Sequence, residues 1–87
     1  MEIRVLFFGL LKDVCGRAAE SVTLRDGATV ADLLDYYEQR IPTLKTFLPS
    51  VALSVNQEYS SPERSLRPND EVAFLPPVSG GVLRMRP

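Results

Sequence analysis

The sequence predicts an α+β domain in which one amphipathic helix packs on one face of a mixed sheet. Segments with the two-residue alternation of β-strands lie on both sides of a single segment with helical periodicity. The length of 87 residues suffices for one small hydrophobic core but not for two. A content of 45% hydrophobic and 24% charged residues is ordinary for a globular protein.

The first strand is predicted at the segment EIRVLFF, which alternates between two largely apolar faces and ends at Gly9. The next segment, LKDVCGRAAE, is predicted to be a loop or a turn. A second strand is predicted at residues 20–24, followed by a turn at Asp26-Gly27.

The helix is predicted to begin after Thr29, a suitable N-cap, with Asp32 three residues later as a short capping box. It is predicted to end near Arg40, because Ile41 precedes Pro42 and a residue before proline disfavours helical geometry. The apolar residues with helical spacing are Val30, Leu33, Leu34, Tyr37 and Ile41.

After the helix, TLKTFLPS is expected to hold a short helical turn, and VALSVN is predicted to be a third strand. Asn56-Gln57 permits a tight reversal into EYS, and the last strand, residues 71–75, follows a turn at Pro68-Asn69-Asp70. The residues predicted to meet the helix are Ile3, Val5, Phe7, Val51, Leu53, Val55, Val72 and Phe74.

The opposite face of the sheet is then expected to carry Leu6, Phe8, Ala73 and Leu75. A domain of this size has no second layer to cover these four residues. An uncovered apolar patch usually marks a surface that binds a partner. The alternative is that a loop covers it.

Composition excludes several classes of function. There is no histidine, so a serine or cysteine nucleophile activated by histidine is excluded and the usual zinc ligand is missing. We therefore expect no metal site, no bound cofactor and no independent catalysis. The single cysteine, Cys15, excludes an internal disulfide, indicates a cytoplasmic protein and is expected to be a structural thiol. With a net charge of −1 and no long apolar run, we expect neither nucleic acid nor membrane as a partner.

Three segments, in this order and spacing, resemble the small subunit of molybdopterin synthase, the MoaD family: RVLFFGLLKDVCGRAAE, ALSVNQEY and LRPNDEVAFLPPVSGG. The resemblance covers residues 1–81 and leaves 82–87 as an extension. It implies the β-grasp, ubiquitin-like fold, with a mixed sheet of four to five strands whose first and last strands lie side by side in the centre. The partner-binding residues named above would then form one contiguous patch.

The resemblance also implies a function, that of a non-catalytic sulfur carrier. The carboxylate of Gly81 would be activated with ATP by an adenylyltransferase resembling the ubiquitin-activating enzymes, and converted to a thiocarboxylate. It would then give its sulfur to cyclic pyranopterin monophosphate in the active site of the large subunit, within a heterotetramer. The tail that would enter these active sites consists of Pro76, Pro77, Val78, Ser79 and Gly80, in which the prolines favour an extended conformation.

The extension departs from the family pattern, because residues 82–87 leave Gly81 with an amide instead of a carboxylate. We expect a protease to remove them. Two alternatives stay open: the segment is the remnant of a longer gene product, or the chain is a β-grasp interaction module without acyl chemistry. The carrier could also serve another pathway, such as thiamine, cysteine or thiolated tRNA synthesis.

Overall fold

A computed structural model describes residues 1–76 and shows a five-stranded mixed sheet with one long helix. The elements in chain order are β1 (Glu2–Phe7), α1 (Leu10–Cys15), β2 (Ala19–Thr23), α2 (Val30–Arg40), two 3-10 helices (Pro42–Thr46 and Leu48–Ser50), β3 (Ala52–Val55), β4 (Glu58–Tyr59) and β5 (Glu71–Leu75). The strand order is β2-β1-β5-β3-β4, with β1 and β5 parallel and the other pairs antiparallel. The predicted α+β class is confirmed, and so is the central pairing of the first and last strands.

Helix α2 is held on the two central strands by an aromatic cluster. Tyr37 lies with its ring centroid 5.3 Å from that of Phe7 on β1 and 5.5 Å from that of Phe74 on β5, edge to face in both pairs. Such pairs contribute about 0.5–1.5 kcal/mol each beyond the burial of their area. The face of the sheet that was predicted to meet the helix is confirmed. Val51 and Leu53 lie at its margin and are only partly buried.

The ends of α2 lie where the sequence predicts them. The Thr29 N–H donates to Asp32 Oδ2 at 2.8 Å and the Asp32 N–H donates to Thr29 Oγ1 at 3.3 Å, which makes the capping box. The hydrogen bond from the Thr29 backbone, aided by the charge of Arg25, holds the pKa of the Asp32 carboxyl below its usual value. The helix ends at Arg40.

The prediction of a loop or turn at LKDVCGRAAE is wrong, because its first five residues, 11–15, belong to α1. Leu11 is fully buried, and Val14 and Cys15 pack against the same core at helical spacing. Gly16 ends the helix in the left-handed conformation, at φ +78°, and its N–H donates to the Lys12 carbonyl. Six residues are fewer than two turns, which is too short a segment for periodicity to identify.

The reversal at Asn56-Gln57 is confirmed and sets the register of β3 and β4. Both residues have positive φ, 52° and 72°, as the two-residue turns of tight β-hairpins require. The turn pairs Ser54 with Tyr59 and so puts these two side chains on one face of the sheet.

Candidate functional site

The predicted patch lies on the face of the sheet opposite α2, and the strand register assembles it. Leu6 on β1 is paired with Ala73 on β5, Ala73 with Ser54 on β3, and Ser54 with Tyr59 on β4. Residues paired across strands share a face, so these four form one row over four strands. The small side chains of Ala73 and Ser54 stand in the middle, between larger ones.

Exposure within the patch is uneven. Phe8 is 44% exposed, whereas Leu6 and Leu75 are half-buried and Ala73 is only 8% exposed. Ala73 is shielded because it is a small residue on a central strand with neighbours on both sides. The four predicted residues do lie together, but Ala73 forms the floor of the patch and leaves most of the accessible apolar area to the others.

A groove of about 290 Å³ runs along this face. We call it the outer-face groove; its lining residues are Leu6, Phe8, Ser54, Gln57, Tyr59, Glu71, Ala73 and Leu75. Sequence reasoning found only the four apolar ones. The alternation of β3 and the two-residue turn after it were signals that could have placed Ser54 and Tyr59 on this face.

The last described residue, Pro76, packs beside the end of β1. The Phe8 N–H donates to the Phe74 carbonyl at 3.3 Å, which brings the ends of β1 and β5 together. Gly9 follows with φ +54°, and a Cβ at this position would stand 3.0 Å from Pro76 Cγ. The predicted tail therefore starts next to the exposed Phe8. Pro77, Val78, Ser79, Gly80, Gly81 and the extension 82–87 lie outside the described residues.

A second group of polar side chains joins α2 to β2. The Tyr37 hydroxyl donates to Glu20 Oε2 at 2.5 Å, and Arg17 donates to Glu20 Oε1 at 2.7 Å. Burial, together with the hydrogen bond to Glu20, raises the pKa of Tyr37 far above its usual value. Burial also raises the pKa of the Cys15 thiol, and the nearby Glu20 charge adds to this rise. A thiol with a raised pKa is a poor nucleophile, in keeping with the structural role expected for Cys15.

Residues 1–76 contain neither a cluster of metal-ligating side chains nor a helix that could span a membrane. In this part of the chain, no three acidic or cysteine side chains converge as the ligands of a metal ion would. None of its helices has the length and apolar character that crossing a bilayer requires.

Comparison with known proteins gives consistent matches over almost the whole chain. The ThiS family matches residues 5–81. The chain is 37% identical to a molybdopterin synthase sulfur carrier subunit of Chlamydomonas reinhardtii, covering 93% of this chain and 100% of the relative. It is 34% identical to a protein of the same name from Mycobacterium tuberculosis, covering 93% and 99%.

Two solved structures share the fold. The crystal structure of SAMP1 from Haloferax volcanii superposes with a TM-score of 0.81 at 28% identity, covering 93% of this chain and 100% of that one. A complex of subunits 1 and 2 of the molybdopterin-converting factor from Helicobacter pylori contains a chain with a TM-score of 0.71 at 26% identity, covering 93% and 100%. The resemblance and the ubiquitin-like β-grasp fold predicted from the sequence are confirmed.

Proposed function

The chain belongs to the ThiS family, and on this basis we propose that it is the sulfur-carrier small subunit of a molybdopterin synthase. The observation that carries the proposal is the position of the patch: the strand that contributes Ala73 and Leu75 runs directly into Pro76, the start of the tail. A protein that docks on the outer face thereby also reaches Pro76, after which the tail follows in the sequence. The names of the relatives support molybdopterin synthesis as the pathway that this carrier serves.

The reacting group is the carboxylate of Gly81, exposed when a protease removes residues 82–87. The carboxylate attacks the α-phosphate of ATP on a ubiquitin-activating-like adenylyltransferase, and pyrophosphate leaves. A sulfur donor then attacks the acyl carbon and displaces AMP, which leaves a thiocarboxylate. This sulfur is the nucleophile that attacks cyclic pyranopterin monophosphate, and water then cleaves the resulting thioester, which leaves the sulfur on the pterin and restores the Gly81 carboxylate. A nucleophile carried on the main chain needs no histidine, and the sequence has none.

The large subunit supplies the active site and binds the outer face of the sheet. The related structure from Helicobacter pylori is a complex of two subunits, which supports a partner of this kind. The heterotetramer and the cytoplasmic location are parts of the same proposal. The chain itself catalyses nothing and holds no cofactor, since ATP is consumed on the activating enzyme.

Reconstitution tests the proposal. A chain ending at Gly81 is incubated with ATP, the activating enzyme and a sulfide donor, and its intact mass is measured. We expect the mass to rise by the difference between one sulfur and one oxygen atom, and the product to yield molybdopterin when the large subunit and the cyclic precursor are added. The control ends at Gly80. An unchanged mass would refute the carrier chemistry, whereas a thiocarboxylate that serves only another acceptor would refute the assignment to molybdopterin.

A further inference from the structure

The outer-face groove has a polar side in addition to its apolar one. The apolar lining, Leu6, Phe8, Ala73 and Leu75, comes from β5 and from β1 and the residue after it, and the polar lining from β3, its turn and β4 is Ser54, Gln57 and Tyr59. Glu71, at the start of β5, adds a carboxylate to the lining. We propose that the groove binds one arginine side chain of the large subunit, with its aliphatic part on the apolar side and its guanidinium on the polar side. This inference rests on the proposed function and adds to it the chemistry by which the partner is recognised.

Ser54 is the first observation that points to a ligand. The residue is only 7% exposed, and none of the side-chain hydrogen bonds within residues 1–76 involves its hydroxyl. Buried polar groups without a partner are rare, since leaving one unpaired costs about 1–3 kcal/mol. The register between Ala73 and Tyr59 turns this hydroxyl toward the groove. Ser54 therefore offers a hydrogen bond to a group that enters from outside.

Glu71 supplies a negative charge to the same groove. Its main chain is fixed by two hydrogen bonds with Asn56, at 2.7 and 3.0 Å, so its position is well defined. Its carboxylate lies 3.7 Å from Arg4 Nε, an ion pair without a hydrogen bond, and both side chains are partly exposed. Such exposed pairs contribute little. The carboxylate can thus accept from a second donor, and the residues lining the groove carry this one negative charge and no positive one.

Arginine fits this lining better than lysine does. Its planar guanidinium presents several donors at once, which suits the hydroxyl of Ser54, the amide oxygen of Gln57 and the carboxylate of Glu71. The ring of Tyr59 is 80% exposed and provides a face on which a cation can stack. The aliphatic part of the side chain would cover the apolar side. A groove of about 290 Å³ is at the small end for ligand sites, as expected for one side chain.

The test measures the affinity of the chain for the purified large subunit by isothermal titration calorimetry. Ser54→Ala and Glu71→Gln are each expected to weaken binding about tenfold, as the loss of a hydrogen bond to a charged group does. Ser54→Ala should leave the melting temperature unchanged or raise it, because it removes an unpaired buried hydroxyl. Matched controls are Ser50→Ala, an exposed serine in the second 3-10 helix, which is not part of the sheet, and Glu58→Gln, an exposed carboxylate on β4. Both should bind like the unaltered chain.

The outcomes separate the two proposals. If the unaltered chain does not bind the large subunit, the proposed function fails. If it binds and both groove variants bind equally well, only the arginine inference is overturned. Replacing interface arginines of the large subunit one at a time by methionine should find one whose effect is not additive with Glu71→Gln. Purely additive effects for every arginine would overturn the inference.

The NMR resonances of Ser54 and Tyr59 distinguish two other occupants of the groove from an arginine of the large subunit. Ser54 and Tyr59 resonances that shift with protein concentration would indicate a second copy of the chain. Resonances that shift when residues 82–87 are deleted would indicate the chain's own extension. If either occupant persisted in the complex with the large subunit, the inference would be overturned.

Discussion

Replacing Tyr37 by phenylalanine tests the contact that holds α2 to β2. Tyr37 is 1% exposed and its hydroxyl donates to Glu20 Oε2. A hydrogen bond to a charged group contributes about 1.5–3 kcal/mol. Glu20 is 22% exposed and keeps Arg17 as a partner at 2.7 Å, so water and Arg17 compensate for part of the loss. We therefore expect Tyr37→Phe to lower the free energy of unfolding by about 1.5 kcal/mol, the lower limit of this range.

For a domain of this size, 1 kcal/mol corresponds to about 4–8 °C in melting temperature, so Tyr37→Phe should melt about 6–12 °C lower. Differential scanning calorimetry at neutral pH measures this directly. Tyr36→Phe is the matched control, because Tyr36 neighbours Tyr37 and its hydroxyl makes no hydrogen bond within the described residues. Equal melting temperatures for the two variants would refute the assigned hydrogen bond.

The same contact predicts a dependence on alkaline pH. The pKa of Tyr37 is raised on folding, so the unfolded chain loses this proton first, at a pH of about 10. The resulting stabilisation is complete below that pH and is lost as the pH rises above it. Urea unfolding between neutral pH and pH 11 should show this loss in the unaltered chain and a smaller one in Tyr37→Phe. Parallel profiles for the two proteins would contradict the raised pKa.

Four further predictions concern the cap of α2, the Cys15 thiol and the outer face of the sheet. Thr29→Ala should cost about 1 kcal/mol by removing the cap of α2, measured by urea unfolding; an unchanged midpoint would contradict the capping box. Because the pKa of Asp32 is lowered on folding, its stabilisation should be lost as the pH falls below about 4, and Asp32→Asn should flatten the acid limb of the stability profile. Because burial raises the pKa of the Cys15 thiol, Cys15 should react with iodoacetamide more slowly in the folded chain than in the chain unfolded by urea. Because Phe8 is an exposed apolar residue of the groove, Phe8→Asp should fold normally yet bind the large subunit at least about thirtyfold more weakly.

The elements with strong local signals could be predicted from the sequence. The capping box at Thr29, the proline that follows Ile41 and the alternation of β1 and β5 each reflect interactions between residues near one another in the chain. The strand order could not be predicted in this way, because pairing β1 with β5 joins residues almost seventy positions apart. The resemblance supplied one part of it, the central pairing of the first and last strands, and the structure confirms that pairing.

Helix α1 and the polar side of the groove were not predicted from the sequence, for two different physical reasons. Helix α1 is too short to show periodicity, and its stability depends on burying Leu11 in a core that only the tertiary structure forms. The polar side of the groove depends on where β4 pairs, which the turn at Asn56-Gln57 determines. A serine on the face opposite the helix is expected to be exposed, and the sequence alone does not show that β3 lies between β5 and β4, where Ser54 is only 7% exposed.

The central claim is that the reacting group is a carboxyl terminus at Gly81, and the intact mass of the protein isolated from its native cells tests it most directly. The account predicts a chain that ends at Gly81, part of it with one oxygen replaced by sulfur. Recovery of the protein only with residues 82–87 attached, from cells that make molybdopterin with it, would contradict the account.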